Sequence, residues 1–381
     1  MGNKRRTIGI LYQPSNNWIA GAYYIQNIVS ALNFYCTKKN APNIIVLCNS
    51  KKDFDDLKNV TQYSRLSCHL INSNPNKLFR LIFRIIKKIT GKKITLDKII
   101  VKRIKFIYPS NSSEFIPARG KCLAWIPDFQ EKYYPDLFTS EDINFRDTQY
   151  RKLISDNTPI VFSSNSAQND FRTFYPEGQS IKSFVLPFTV VHPYFSNEKI
   201  EIIKQKYGIT QKYLFCANQF WIHKNHMKLF EAINILRSNG FNLQLVCSGA
   251  LHDYRTNTYH SDILNFIKKN NLQDSIKILG FIERTEQLCL MKNSYAIVQP
   301  SLFEGWSTVV EDAKCLNKFI FLSDLSVHHE QKPVNACFFN PNDEYELAMK
   351  IMQTKIIEKK VNYVDNIKLS GKTFLDIINN F

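Results

Sequence analysis

The run Ile297 to Leu316, IVQPSLFEGWSTVVEDAKCL, concentrates the side chains best suited to chemistry. It reads as a strand, a loop from Pro300 to Trp306 and a helix. Open parallel sheets bind ligands beyond the carboxyl ends of their strands, so this loop falls where a ligand belongs. The helix offers the backbone N–H groups of Ser307, Thr308 and Val309 at its positive end, a ready seat for a diphosphate. Glu304, Glu311 and Asp312 flank that seat, and carboxylates accept hydrogen bonds from sugar hydroxyls. Phosphate donors beside sugar-holding acceptors point to a sugar nucleotide. A structural reading competes for part of this. Thr308 followed by Glu311 has the form of a capping box, and acidic residues in a first turn complement the helix dipole. Glu304 lies outside the helix in a Gly-containing loop, where no capping role accounts for it.

A second constellation, ANQFWIHKNH from Ala217 to His226, again stands between a strand and a helix. Lys224 can reach a phosphate there, and the Gln219 amide can donate a hydrogen bond to it. The alternative is a solvated loop lysine. His223 and His226 invite a metal reading, but no second group of carboxylate or thiolate ligands accompanies them, and no metal is expected. In the first half, PSNNWIAGAYY joins the first strand to the first helix, and Gly21 would let a ligand approach the backbone. It is not GxGxxG, so a dinucleotide site is poorly supported. In AWIPDFQEKYYPD, Asp128 follows a strand. It would meet an acceptor hydroxyl or the donor sugar, or simply form a turn after Pro127. The Asp-x-Asp pair in DFDD, Asp53 to Asp56, sits in a polar stretch and reads as solvated.

The elements that must position these residues follow the rhythm of parallel βαβ units. Strands are expected over Thr7 to Tyr12, Asn43 to Cys48, Lys105 to Tyr108, Cys122 to Ile126 and Ile160 to Ser164. A second set covers Tyr213 to Ala217, Leu243 to Ser248, Ile276 to Gly280, Ala296 to Gln299 and Phe319 to Ser323. Between Tyr213 and Gly249 the pattern is clearest: a strand, then a helix with Met227, Phe230, Ile233 and Leu236 on one face, stopped by Gly240, then LQLVCSG. Asn225 is a candidate N-cap of that helix. Pro187 and Pro193 mark a connection over Val185 to Ser196.

A chain of 381 residues exceeds the roughly 250 to 300 at which one core stops growing, so two domains are expected. Charge narrows the partners: 50 Lys plus Arg against 33 Asp plus Glu give +17, which draws the chain to polyanions, anionic lipid or phosphorylated small molecules. The aromatic-basic interleaving of strand-binding surfaces is absent, and nucleic acid is not expected as a partner. Nine scattered cysteines without a CxxC pair argue for thiols rather than a disulfide framework. The N-terminus lacks the pattern of a signal peptide, no apolar run spans a bilayer, and a cytoplasmic location is expected. The segment Asn76 to Lys105 is the most basic. Its apolar and cationic faces suit a helix lying on an anionic membrane surface, on the inner face of the cytoplasmic membrane, or equally a surface helix packed on its own domain.

Across the first strand-loop-helix, IPDFQ, FSSNSAQNDF, VLPF, ANQFWIHKNH and the long run ending IVQPSLFEGWSTVVEDAKCL, the chain resembles family 4 glycosyltransferases of the GT-B fold, of the bacterial surface-polysaccharide type. The resemblance implies an α/β architecture of two Rossmann-like, doubly wound domains facing across a cleft. Residues 1–190 would form an acceptor-side domain, 191–360 a nucleotide-sugar-binding domain, and 361–381 a last helix crossing back to the first. It also implies retention of configuration, independence of metal and no cofactor beyond the donor. Three departures stand out. The family's Glu-x7-Glu corresponds to Glu304 and Asp312, leaving the ribose to Asp312 or Glu311. Gln219 replaces the Arg of its phosphate-gripping pair. Pro127-Asp128 replaces a His-Asp.

The expected activity is therefore transfer of a hexose-type sugar from a nucleotide diphosphate, UDP or GDP, to a glycan or lipid-linked glycan, as in lipopolysaccharide, O-antigen or capsule synthesis. Glu304, Lys224 and Asp128 would carry the chemistry. Gln219, Lys224, Gly249, Glu304, Gly305, Trp306, Ser307, Thr308, Val309, Glu311 and Asp312 would hold the donor, and Gly21 and Asp128 the acceptor. Two other classes stay open: a non-catalytic basic module for membranes or polyanions, and a sugar-nucleotide epimerase on a related fold.

Overall fold

Side chains alternate faces along a strand, so a strand covered on both sides must be apolar at every position. The second half of the chain meets that condition. In the computed structural model, which describes residues 6–14, 19–71, 104–110, 122–251 and 258–381, Leu214 and Cys216 of strand β8 (Tyr213–Cys216) join one core while Phe215 joins the other. The same alternation runs through β9 (Gln244–Cys247), β11 (Ala296–Gln299) and β12 (Ile320–Ser323). With β10 (Ile276–Ile278) and β13 (Ala336–Phe339) they form one six-stranded sheet of order β10-β9-β8-β11-β12-β13, every pairing parallel. The chain builds outward from β8 in one direction, then returns to its other side at β11. That reversal marks the switch point where open sheets take their ligands.

Contacts divide the chain into two units. The sheet just described belongs to the unit comprising Asp128–Ser140 and His192–Tyr363; the other comprises Met1–Pro127, Glu141–Val191 and Val364–Phe381. Residues 128–140, which the sequence division places in the first domain, pack with the second sheet. In the first unit, β1 (Thr7–Leu11), β2 (Asn43–Cys48), β3 (Leu66–Leu70) and β4 (Ile107–Tyr108) form a parallel sheet of order β3-β2-β1-β4. A second parallel set, β5 (Ala124–Ile126), β6 (Ile160–Phe162) and β7 (Ser183–Val185), continues it through a bridge between Ile107 and Cys122. The nine cysteines are thiols rather than disulfides. Among the described residues no helix is long and apolar enough to cross a membrane. The basic segment Asn76 to Lys105 lies outside the described residues up to position 103.

Strand reading finds every central strand and misses β3, β7 and β13. Each of the three lies at the edge of its sheet. An edge strand is half covered, and LSCHL and SFV lack the continuous apolar run that marks a buried one; ACFF is apolar throughout, and its edge position alone does not account for the omission.

The last helix, Val364–Asn380, closes the first unit against the helix Ile19–Tyr35. Its carboxyl end is met by cations: Arg6 and Lys105 donate to the carbonyl of Ile378, and Lys182 donates to that of Asn380. Positive charge there satisfies terminal carbonyls and complements the dipole. The two helices meet at Gly371, where an added Cβ would lie 2.2 Å from the carbonyl oxygen of Ala31. Gly371→Ala is expected to cost about 1–3 kcal/mol through overpacking, read as a lower denaturant midpoint for the first unit. An unchanged midpoint would mean that the helices separate without penalty.

Candidate functional site

Two loops leave the sheet at the switch point, one after β8 and one after β11, and backbone chemistry stitches them together. Leu302 N–H donates to the carbonyl of His223 at 2.8 Å. Asn225 stands at the start of the helix His226–Ser238 in the left-handed region, φ 60°. It is not the side-chain N-cap its position suggests. Its amide instead donates to the carbonyls of Pro300 (3.1 Å) and Pro341 (2.7 Å). Asn tolerates this backbone conformation better than most residues.

The stitching brings Lys224 and Glu304 together, Nζ to Oε1 at 2.7 Å, with side chains only 16% and 9% exposed. The same Oε1 accepts from Gln299 Nε2 and Ser301 Oγ, each at 2.7 Å. Gln299 is held in turn by Asn218, whose amide donates to its oxygen at 2.8 Å. A buried charge must be paired and hydrogen-bonded to persist. Here all three donors, Lys224, Gln299 and Ser301, converge on one oxygen of the carboxylate. Gly249 shapes the neighbouring wall. Its φ is 149°, and a Cβ there would lie 2.0 Å from the carbonyl oxygen of Asn218. Only glycine allows the β9 loop to lie this close to Asn218 and Gln219.

The helix Thr308–Leu316 starts at this loop, with Gly305 buried and Trp306 half-buried before it. Its cap is Ser307, whose hydroxyl accepts from Val310 N–H, so Thr308 and Glu311 do not form the capping box their spacing suggests. Ser307 N–H is also not available to a phosphate. It donates to Gln331 Oε1 at 3.2 Å, and Gln331 Nε2 returns a bond to the Ser307 carbonyl at 2.9 Å. Thr308 and Val309 remain as the N–H groups of the helix end.

The two carboxylates on this helix separate cleanly. Glu311 is fully buried and spends both oxygens on protein: Oε1 accepts from Lys314 and Gln331, each at 2.9 Å, and Oε2 from Tyr363 at 2.6 Å. It is a structural anchor, with neither oxygen left over for a ligand. Both bonds to Asp312, from His192 Nε2 at 2.8 Å and from Arg284, fall on Oδ1. Arg284 is braced by Gln287 at 2.6 Å, which donates to Ser248 at 3.0 Å. Burial alone would raise the Asp312 pKa, but Arg284 and His192 outweigh it and hold the carboxyl below its usual range.

His328 completes the group. It lies in the short helix Ser326–Gln331 after β12, fully buried, with Nδ1 at 2.8 Å from the Ser323 carbonyl oxygen. Burial lowers its pKa against the opposing charge of Glu304 and the Ser323 bond, with Lys224 and His329 adding to the lowering.

Asp128 accepts from Gln130 N–H at 3.1 Å, the turn-forming geometry. Its segment packs on the Glu304 loop: Tyr134 donates to the Leu302 carbonyl at 3.3 Å, and Phe303 meets the rings of Tyr133 and Tyr134. Gly21 sits in the first turn of the helix Ile19–Tyr35 rather than in the loop before it. Asp53 is tied up in a capping box with Ser50. His226 stacks on Phe220 with ring centroids 4.0 Å apart, a core position. Among the described residues no group of three or more His, Cys, Asp or Glu could hold a metal ion.

Sequence reading passes over Asn218, Gln299, His328, Gln331, Arg284 and His192. One signal was present for the first two: an amide closing an otherwise apolar buried strand needs a polar partner.

Asp312 makes a test of the pairing. Asp312→Asn is expected to cost about 3 kcal/mol near neutral pH, because it strands Arg284 beside a neutral group. Since the folded pKa is depressed, this stabilisation is present above the unfolded value near 4 and is lost as pH falls through the folded pKa. Unfolding curves of the two proteins should therefore converge in acid; a gap that stays constant down to pH 2 would contradict the pairing.

Comparison with known proteins finds relatives of both the sequence and the fold. Residues 199–367 match the family described as Glycosyl transferases group 1. The O-antigen chain mannosyltransferase RfbU of Salmonella typhimurium is 25% identical over 252 residues, a stretch covering 64% of this chain and 66% of the relative, just short of two thirds of its length. Among solved structures, Anabaena Alr3699/HepE in complex with UDP and glucose is similar with a TM-score of 0.61 at 15% identity, covering 98% of this chain and 97% of that one. A glycosyltransferase from Rickettsia africae gives 0.59 at 17%, covering 99% and 94%. The fold is thus the α/β GT-B fold of these structures, and within it residues 199–367 match the model of the glycosyl transferases group 1 family.

Proposed function

We propose that the chain is a retaining, metal-independent glycosyltransferase of family 4 that moves a hexose-type sugar from a nucleoside diphosphate to a growing surface glycan. The observation that carries this reading is the buried Lys224–Glu304 pair at the β8/β11 switch point, beside the N–H groups of Thr308 and Val309. The match to a glycosyl transferases group 1 domain and the likeness to an O-antigen mannosyltransferase support it. The likeness to an O-antigen mannosyltransferase favours O-antigen synthesis as the setting; lipopolysaccharide or capsule synthesis and a cytoplasmic location are part of the same proposal.

The chemistry follows from the charges. Lys224, Gln219 and the helix end neutralise the diphosphate as the bond between the anomeric carbon and the phosphate oxygen breaks. Glu304 orients the donor sugar and Asp312 the ribose. The new bond forms from the acceptor hydroxyl, whose proton passes to the departing phosphate oxygen, so no side-chain base is needed. Asp128 is assigned to the acceptor. Positive charge from Lys224 and the helix dipole replaces a metal ion.

A panel of UDP, GDP and ADP distinguishes this reading from a polyanion-binding module. One diphosphate at 100 times its Kd should stabilise the protein by about 2.7 kcal/mol, seen as a thermal shift that Lys224→Ala abolishes and chelators leave unchanged. Glu304→Gln should keep that shift while lowering kcat by about 10²- to 10³-fold. Salt-sensitive binding of any polyanion that survives both substitutions would favour the module instead.

A further inference from the structure

Three neighbouring strands of the second sheet, β8, β11 and β12, end on one side of it. Lys224 follows the first and Glu304 the second. The residue that follows the third and folds back over its end is His328. A carbonyl oxygen can only accept, so the 2.8 Å contact with Ser323 places the ring proton on Nδ1 and makes Nε2 a lone-pair acceptor. Nε2 has no hydrogen-bond partner among the described residues although the ring is completely buried. Buried polar atoms are rarely left unmet, and those that are ask for an explanation. The charges of Glu304 and Lys224, which follow the two neighbouring strands, both act on this ring. Nor can the ring drift, because Gln331, on the same short helix, is bonded in both directions to Ser307.

We propose that His328 determines donor specificity: Nε2 accepts a hydrogen bond from one hydroxyl of the donor sugar, beside the hydroxyls that Glu304 holds. This rests on the donor-site reading above and deepens it. Glu304 as a carboxylate would also welcome a cationic amino sugar; a neutral imidazole acceptor rewards a hydroxyl in one place. His328 touches the sugar and not the nucleotide, so its effect belongs to the sugar alone.

Isothermal titration of UDP, GDP, UDP-glucose and GDP-mannose against wild type, His328→Asn and His328→Gln tests this. Asn keeps an N–H for the Ser323 carbonyl and removes the outer acceptor; Gln restores an acceptor near the Nε2 position. The preferred nucleotide sugar should bind about tenfold more weakly to His328→Asn, the loss of one net hydrogen bond, while its bare diphosphate changes less than about twofold and Gln recovers most of the loss. Equal weakening of diphosphate and nucleotide sugar, or no weakening of either, would overturn the proposal. On wild type alone, removing the donor's hydroxyls one at a time should expose one whose absence costs about tenfold and costs nothing further in His328→Asn. Tolerance of every single removal by wild type would also sink the assignment. Failure of wild type to bind any of the four ligands would count against the donor site itself.

Discussion

Everything in the second unit depends on where its sheet reverses. β8 is laid down first, β9 and β10 grow to one side of it, and β11 to β13 return to the other. The loops that follow β8 and β11 are tied to each other at that reversal, Leu302 N–H to the His223 carbonyl and the Asn225 amide to that of Pro300. Lys224 on the first loop and Glu304 on the second pair across that junction, where both side chains are largely buried and neither charge could stand alone.

Much of this was legible in residues. The doubly wound class follows from strands that are apolar on both faces, and Leu214, Phe215 and Cys216 show it within three positions. Glu304 stands out in the sequence because a carboxylate in a glycine loop has no capping duty, and the structure gives it three donors, Lys224 among them. Glu311 and Ser307 were not legible, because their duties are non-local. The Glu311 partner Tyr363 lies 52 residues away, and Ser307 N–H goes to a side chain 24 residues on. Local spacing made a capping box of Thr308 and Glu311; the long-range partners decided otherwise. His328 left no local sign at all, since its meaning comes from a strand end that only folding brings beside Glu304.

The departures from the resembling family also acquire a physical sense. Shortening the second carboxylate from Glu to Asp at position 312 withdraws it by one methylene, and Arg284 and His192 meet it from the protein side. Under the proposed reading, Gln219 in place of an arginine leaves the diphosphate one permanent charge short. Lys224 and the start of the helix Thr308–Leu316 would then carry more of the neutralisation, the helix through Thr308 and Val309 because Gln331 has taken the N–H of Ser307.

Under the proposed reading, the ion pair couples the two halves of the donor. Without ligand, Lys224 and Glu304 satisfy each other. A diphosphate carries more charge than a carboxylate and draws Lys224 toward itself. Glu304 would then hold a buried charge with only Gln299 and Ser301 as donors, a costly state unless new donors arrive. Sugar hydroxyls are such donors, and they arrive attached to the same phosphate. Bare diphosphate forfeits that compensation, so part of the phosphate's binding energy is realised only when the sugar is present. Such a site grips the complete donor more tightly than the sum of its separated halves, and loosens on the diphosphate once the sugar has gone.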